Sequence, residues 1–358
     1  MRKCRDCDFP KKFAKFFDWR SDGTIVSTDR TRTRSQITFL EAGELEGLFK
    51  DLTETIGMDI DRIFIQAQKD IGKALYANLP IRHMKRVPNN RFVRPQFFAR
   101  LLVSLIRADI AGLGDGIVSL DDYVAGVTLA VRFKNPVVYP LLVGSAAGIY
   151  ESIEDMPSSQ VTYGLEGGDL VIRLTHGTEA PADRERLYLD EVKEGSGPLR
   201  YDRCADCGVP LDAAKTFEWD IKRGIIRNRR TGRRDVVVAV QSVNALLREL
   251  ENELGEDVPQ LVYDHQKALS AKKLEGVDVG EPAAFLERRP REMALRGLGY
   301  PSVFEFDGAS LSVEMKNAYN QELYAAKLAA ALEKATGKPS TIEWSKREPG
   351  LSTYRIVT

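Results

Sequence analysis

Residues 2–10 read RKCRDCDFP, and residues 202–210 read DRCADCGVP. Both contain Cys-x-Asp-Cys-x-x-Pro: Cys4, Asp6, Cys7 and Pro10 in the first, Cys204, Asp206, Cys207 and Pro210 in the second. The chain has 4 cysteines, so this one turn written twice uses all of them. The flanks repeat too. FFDWRSDGTI (16–25) parallels TFEWDIKRGII (216–226), placing Trp19 opposite Trp219, and TRTR (31–34) parallels TGRR (231–234). LEGLFKDLTETIGMDI (45–60) parallels VNALLRELENELGEDV (243–258), and QKDIGKAL (68–75) parallels QKALSAKKL (266–274) more loosely. AGLGDGIV (111–118) parallels RGLGYPSV (296–303). VRFKNPVVYPLLVGSAAGIYE (131–151) parallels VEMKNAYNQELYAAKLAAALE (313–333). Ordered matches at steady offsets indicate a tandem duplication whose unit is a whole domain, far longer than a solenoid repeat.

Each unit carries the same pattern. A cysteine knuckle leads into a hairpin: an aromatic strand, a turn at Gly23 or Gly224, then a strand rich in Arg and β-branched residues. Leu246, Leu247, Leu250 and Leu254 recur at helical spacing and stop at Gly255, a C-terminal helix signal. A second helix carries the Gln-Lys segment. A Gly-Leu-Gly turn opens a strand pair, an apolar helix follows (141–150 and 323–332), and a hairpin closes the unit, with Pro349-Gly350 at its turn in the second copy. The first copy has extra residues around 76–110, and the polar stretch 177–197 reads as linker. The expectation is an α+β protein of two tandem homologous domains, 1–176 and 200–358, joined by 177–199. In each, helices pack on an antiparallel sheet, and the two form an intramolecular pseudo-dimer.

Composition narrows the function. The chain has 358 residues, 43% hydrophobic and 29% charged, as in globular proteins with ordinary cores. Lys+Arg and Asp+Glu both number 52, so no global charge points to nucleic acid or membrane. The charged N-terminus lacks the apolar core of a secretory signal, and VVYPLLVGSAAGIY (137–150) is too short to span a bilayer. The reading is a cytoplasmic protein, where paired thiols signify metal or redox chemistry more than disulfides.

A C-x2-C turn brings two sulfurs close enough to share one ion. Gly208 or Asp8 after the second Cys lets backbone N–H groups point at the thiolates. Zinc takes four such ligands in a tetrahedron, so two half-sites complete one structural Zn2+ site per chain from Cys4, Cys7, Cys204 and Cys207, with no position left for a catalytic water. The alternatives are two separate sites completed by other residues or a second chain, a redox pair, or unused thiols. His83, His176 and His265 do not recur between the units, against the first of these. A redox C-x2-C opens a helix after a strand, whereas Pro and a hairpin follow here.

The segments LLRELENELGEDVPQLVYDHQKAL (246–269), 295–337 and TIEWSKREPGLSTYRIVT (341–358) resemble the 4-vinyl reductase domain, also described as a predicted hydrocarbon-binding module. The resemblance implies a fold akin to haem nitric-oxide sensors and to a vesicle-tethering subunit: helices against an antiparallel sheet around an apolar pocket. It implies binding of a small apolar or amphipathic molecule for sensing or delivery. Many members carry cysteines near the closing hairpin; this chain carries its own at the head of each unit. The Tyr-x-Ser-x-Arg pattern of the haem sensors is absent.

Two basic features stand out. Residues 81–100 contain Arg82, Lys85, Arg86, Arg91, Arg94 and Arg100 with Phe92, Phe97 and Phe98 between them and no acid. Arg30, Arg32 and Arg34, and Arg227, Arg229, Arg230, Arg233 and Arg234, include i, i+2 spacings that put alternate arginines on one strand face. An anionic or nucleic-acid partner is the functional reading of these, an ordinary solvated face the simpler one. Trp19 and Trp219 are expected in the hairpin core, and Asn135 and Asn317 as caps of the apolar helix. No phosphate loop, nucleophile–base order or recurring carboxylate pair suggests catalysis. The chain reads as a zinc-stapled, non-enzymatic ligand-binding protein. The other readings are an interaction scaffold using the Arg-rich strands and a reductase-type accessory enzyme on a tetrapyrrole-like substrate.

Overall fold

The computed structural model describes residues 1–27, 35–76, 95–177, 195–348 and 351–358. The chain runs through α1 (Lys11–Phe16), β1 (Phe17–Trp19), β2 (Ile25–Ser27), β3 (Gln36–Glu41), α2 (Ala42–Ile56), α3 (Asp61–Tyr76), α4 (Pro95–Leu113), β4 (Ile117–Val124), β5 (Thr128–Lys134), α5 (Tyr139–Glu154), β6 (Ser159–Glu166) and β7 (Asp169–His176). The same order then recurs as α6 (Leu211–Thr216), β8 (Phe217–Asp220), β9 (Ile225–Asn228), β10 (Arg234–Ala239), α7 (Val240–Leu254), α8 (Val258–Lys273), α9 (Pro282–Leu295), β11 (Pro301–Phe306), β12 (Ser310–Lys316), α10 (Gln321–Thr336), β13 (Thr341–Glu348) and β14 (Leu351–Val357). The class is α+β, with three antiparallel sheets among the described residues.

Two of these sheets have four strands and the same topology, β4-β5-β7-β6 and β11-β12-β14-β13. In each, a helix (α5 or α10) links the strand pair to the closing hairpin. The third sheet, β1-β2-β3-β10-β9-β8, takes three strands from each half of the chain. Its seam is the β3–β10 pairing, in which Phe39 faces Val237. Each of these is three residues past the first residue of its strand, so a local twofold passes between them. QITFLE and RDVVVA are buried along most of their length, as strands covered on both faces are.

This shared sheet is a departure from the two separate hairpins expected. β3 and β10 run straight into α2 and α7, and neither junction carries a side-chain cap hydrogen bond. With no punctuation between strand and helix, the boundary leaves no local mark. The short helices α1 and α6, between knuckle and first strand, and the helices α4 and α9 were also not anticipated. α9 contains Pro290, which interrupts its pattern.

The halves interlock. The Gly116 N–H donates to the Gly224 carbonyl, and the Gly299 N–H donates to the Gly23 carbonyl, both at 3.0 Å. Each hairpin tip thus seats against the loop before β4 or β11 of the other half. Gly23 and Gly224 sit at φ 78 and 65, and an added Cβ would meet backbone of that loop at 2.7 and 2.1 Å. Only glycine fits. Asn135 and Asn317 are not helix caps, contrary to the expectation. Both adopt left-handed backbone (φ 52 and 64), which Asn tolerates, and both reach across to the opposite tip. Asn135 Nδ2 donates to the Arg223 carbonyl at 3.1 Å, and Asn317 Nδ2 contacts Asp22 Oδ2 at 3.4 Å. Among the described residues, the α10 cap is Asn320, whose side chain accepts from Leu323 N.

Within each half, α3 packs on α5 and α8 on α10. Gly144 and Gly148 let α5 approach α3 so closely that a Cβ would strike the Ile65 and Lys69 carbonyls at 2.6 and 2.3 Å. Lys69 pairs with the buried Glu151 at 3.2 Å, and Lys267 with Glu333 at 3.1 Å. Each glutamate also accepts from the first backbone N–H near the closing hairpin, Ser159 or Ser340, at 2.7 Å. One ion pair therefore fixes helix, helix and hairpin in both halves.

Candidate metal centre and ligand cavity

Both knuckles are built by the same local bonds. Cys4 N donates to the Phe9 carbonyl at 2.8 Å and Cys204 N to the Val209 carbonyl at 2.9 Å. Asp8 and Gly208 follow the second cysteine in left-handed conformation, φ 59 and 75, as the turn requires. Lys3 bridges to Pro10 and Arg203 to Pro210, closing the loops.

The shared sheet brings the knuckles together. Cys4 Sγ lies 3.6 Å from Cys204 Sγ, and Cys7 Sγ 3.5 Å from Cys207 Sγ. All four sulfurs lie within 4.8 Å of one another, two from each end of a 200-residue separation. Bonds of about 2.3 Å to a tetrahedral ion require sulfurs about 3.8 Å apart, so the four thiols fit a divalent cation of zinc's size. All four cysteines are free thiols, Cys4 and Cys204 buried and the others half-buried. Backbone N–H groups of Cys207 and Asp206 pull Cys204 down to about 7 against its burial. Burial pushes Cys7 well above the ordinary thiol range and Cys207 up to about 11. A bound dication would offset this burial and hold every thiol as thiolate. Cys4 Sγ donates to Asp206 Oδ2 at 3.2 Å, and Lys11 pairs with Asp206 at 2.7 Å, tying the knuckles together a second way. Among the described residues, no other group of His, Cys, Asp or Glu gathers in a metal-binding cluster.

The knuckles rest on an aromatic core drawn from both halves. Phe9 meets Trp219 edge-on at 4.5 Å, and Phe39 stacks on Phe217 at 4.2 Å. Trp19 and Trp219 are buried there, as expected. Trp19 Nε1 donates to the Leu295 carbonyl and Trp219 Nε1 to the Gly112 carbonyl, each at 3.0 Å and each in the opposite half.

An apolar cavity of about 120 Å³ lies in the first half between α4, α5 and strands β4 and β5. Leu102, Ile106, Val131, Phe133, Leu142 and Ile149 supply its surface. Four polar side chains break it, of which Tyr123 already donates its hydroxyl to Glu154. Tyr150 lines the cavity, and its hydroxyl is buried with no hydrogen-bond partner among the described residues. Burial first, and then Glu154, push this phenol up to about 12, so it stays a donor. Ser145 Oγ already accepts from Gln68 at 2.9 Å. Asp115 is pushed up to about 7 by burial, against the pull of Arg234. Sequence reasoning gave none of these residues a ligand role; its traces were the Gly-Leu-Gly turn before Asp115 and the apolar helix 141–150, which carries Ser145 and Tyr150.

The basic segments fare differently. Arg30, Arg32 and Arg34 lie outside the described residues, as do Arg82, Lys85, Arg86, Arg91, Phe92, Arg94 and His83; Arg100 and Phe97 are exposed on α4. In the second half the arginines do not share one strand face. Arg229, Arg230 and Arg233 sit in the turn between β9 and β10, which forms because Asn228 Oδ1 accepts from the Arg230 and Thr231 N–H groups. Arg229 meets Glu218 at 3.4 Å, and Arg233 meets Glu41 at 3.5 Å. Arg234 caps the carbonyls of Gly114 and Asn135 at 2.6 and 2.7 Å. His176 bonds the Gly177 carbonyl and His265 bonds Thr55, neither among the cysteines. No helix of the described residues is long and apolar enough to cross a membrane.

No family model matches the chain, and no curated protein matches it. A solved structure described as "Probing the function of heme distortion in the H-NOX family" aligns with 41% of this chain and 82% of its own, at 12% identity and a TM-score of 0.26.

Proposed function

We propose that this chain is two fused α+β domains, residues 1–176 and 200–358, stapled by one structural zinc ion. Cys4, Cys7, Cys204 and Cys207 are its ligands, and the first domain holds a small apolar or amphipathic molecule for sensing or delivery. The observation that carries the reading is the meeting of the four sulfurs within 4.8 Å, two from each element series. A closed shell of four thiolates leaves the metal no open position, so its work is structural and its binding free energy becomes docking free energy between the halves. Thiols kept for a metal suit a reducing, cytoplasmic setting.

The cavity sets the scale of the ligand. An engineered apolar cavity of about 150 Å³ takes benzene, so about 120 Å³ suits a single ring or a short branched chain. The unpartnered Tyr150 hydroxyl adds one hydrogen bond, favouring a ligand with one acceptor. Native mass spectrometry of the full chain tests the staple: one zinc per chain is expected, and none or two removes the shared site. Calorimetric titration with toluene and benzyl alcohol tests the cavity. Benzyl alcohol should bind more tightly, and Tyr150→Phe should abolish the difference. Absence of binding by both removes the ligand role and leaves the zinc reading standing.

A further inference from the structure

A second cavity, of about 530 Å³, opens where the halves meet beside the seam residues Phe39 and Leu40. It is bounded by β3, the β9–β10 turn, α8, α9 and α10. Its floor is apolar: Phe39, Leu274, Phe285, Met293 and Leu298 line it, with Val277 at one edge. Its charges are graded from inside to outside. Within, Lys327 contacts Glu44, Lys273 contacts both Glu41 and Glu44, and Arg296 meets Asp235 at 2.8 Å. These pairs close on one another. Toward the mouth, Arg230 is 78% exposed, and its nearest carboxylate, Glu292 at 3.8 Å, is shared with Arg289. Arg288 donates to the Ala284 carbonyl of its own helix and to no carboxylate among the described residues. Arg289 stacks on Phe285 at 4.0 Å and pairs with Glu292 at 2.8 Å, and its buried Nε has no hydrogen-bond partner among the described residues. Seven basic side chains line the cavity against four acidic ones, with Asp235 behind Arg296; burial pulls Lys327 down to about 7, so the surplus of positive charge lies with the arginines at the rim.

These charges are absent from the matching positions of the first half. Aligning Gly112-Leu113-Gly114 with Gly297-Leu298-Gly299 and Asn135 with Asn317 sets Val103 opposite Arg288, Ser104 opposite Arg289 and Ser145 opposite Lys327. An ion-pair lattice needed only to hold the halves together would have no reason to leave arginines uncompensated at the rim of an apolar hollow. Burying polar donors without partners costs stability, and such residues read as a recognition surface.

We propose that this cavity binds a single-chain amphiphile with an anionic head. The hydrocarbon chain lies along Leu274, Val277 and the edge of Met293, over the buried Phe285 and Leu298, and a carboxylate or phosphate head sits at the mouth against Arg288 and Arg230. The exposed Arg288 guanidinium presents donors in the planar geometry that carboxylate and phosphate both accept. This site is separate from the first-half cavity, and its occupancy does not depend on that cavity holding anything.

Titration calorimetry on the zinc-loaded full chain, with decanoate, decyl phosphate and decanol as probes, tests it. At least one of the two anions is expected to bind one per chain, about ten-fold or more tighter than decanol. Whichever anion binds more tightly identifies the head. Arg288→Gln, at an exposed position that packs against nothing in the core, should weaken that anion about ten-fold and leave decanol unchanged. Met293→Trp, which fills the floor, should weaken all three probes. Ala146→Phe, which fills the first-half cavity instead, should leave anion binding intact. Equal binding of decanol and both anions, indifference to Arg288→Gln, or loss of anion binding in Ala146→Phe would each overturn the proposal.

Discussion

Replacing Cys204 with Ser removes one of four sulfurs from a site whose two halves are 200 residues apart in sequence. Its consequence can be sized. A cross-link that closes a loop of about 200 residues lowers the entropy of the unfolded chain by about 18 cal/mol/K, or about 5 kcal/mol at 25 °C. That is a ceiling, because the unfolded chain retains some affinity of its own for zinc through the same cysteines. Unfolding entropy scales at about 2.1 cal/mol/K per residue, about 0.75 kcal/mol/K for this chain, so the full loss lowers the melting temperature by about 7 °C. Differential scanning calorimetry and metal analysis should be run together on the wild type, on Cys204→Ser, and on both after treatment with a strong zinc chelator. The expected result is one zinc in the wild type and none in the variant, a melting temperature lower by up to about 7 °C, and convergence of the two proteins once chelated. The convergence separates a lost metal from a lost side-chain contact. A variant that keeps its zinc, or a chelated wild type that melts where the loaded one does, would refute the shared site.

Other perturbations test the frame around it. Gly224→Ala places a Cβ 2.1 Å from the Gly116 carbonyl at φ 65, so chemical denaturation should show a loss of about 2–4 kcal/mol; an unchanged midpoint would mean the hairpin tip does not seat there. Glu151→Gln strands the buried Lys69 and should cost about 3–5 kcal/mol, clearly more than Glu333→Gln, whose pair with Lys267 is about a quarter exposed on both sides. Equal losses would show that burial is not what sets the cost. Asp115 is raised to about 7 in the folded chain, so between about pH 4 and 7 the folded state keeps a proton the unfolded state has given up. Wild-type stability from this group therefore falls as pH rises through that window, by on the order of 1 kcal/mol per unit, and levels off above it. Asp115→Asn should gain on the wild type across that range in urea titrations at pH 5, 6 and 7; a constant difference would place the carboxyl in an ordinary aqueous setting.

What the sequence revealed and what it hid divide along the range of the interactions. Cys4, Cys7, Cys204 and Cys207 were legible because a knuckle is local: two thiols, a left-handed residue and a proline within a few positions. The hairpin turns at Gly23 and Gly224 and the Leu246–Leu250 face of α7 were legible for the same reason. The β3–β10 seam was not. Val236, Val237 and Val238 run without a break into Val240 and Val243 of the helix, and the partner strand lies almost two hundred residues away. Asn135 and Asn317 occupy the place before an apolar helix where a cap is the economical expectation. Their recurrence was a true signal, but of a contact with the opposite hairpin tip that no spacing within one half encodes. The arginines of the β9–β10 turn looked like one face of a strand because Asn228, which folds the turn, is itself an unremarkable polar residue in the pattern.

The same division separates frame from site. The features that recur in both halves all hold the molecule together: the knuckles, the buried tryptophans, the hairpin tips with their docking asparagines, and the lysine–glutamate pairs between helices. The features that differ surround the hollows. Tyr324 stands where the first half has Leu142 at its apolar cavity, and it is fully buried in the core. Lys327 and Arg288 stand where the first half has Ser145 and Val103. Two halves with the same order of elements agree at the positions that join them. They diverge where each does something of its own, here by lining one hollow with aliphatic side chains and the other with uncompensated arginines. A homodimer with the same knuckles and seam would have two identical cavities. Two such halves in a single chain allow one frame to carry two chemically different ones.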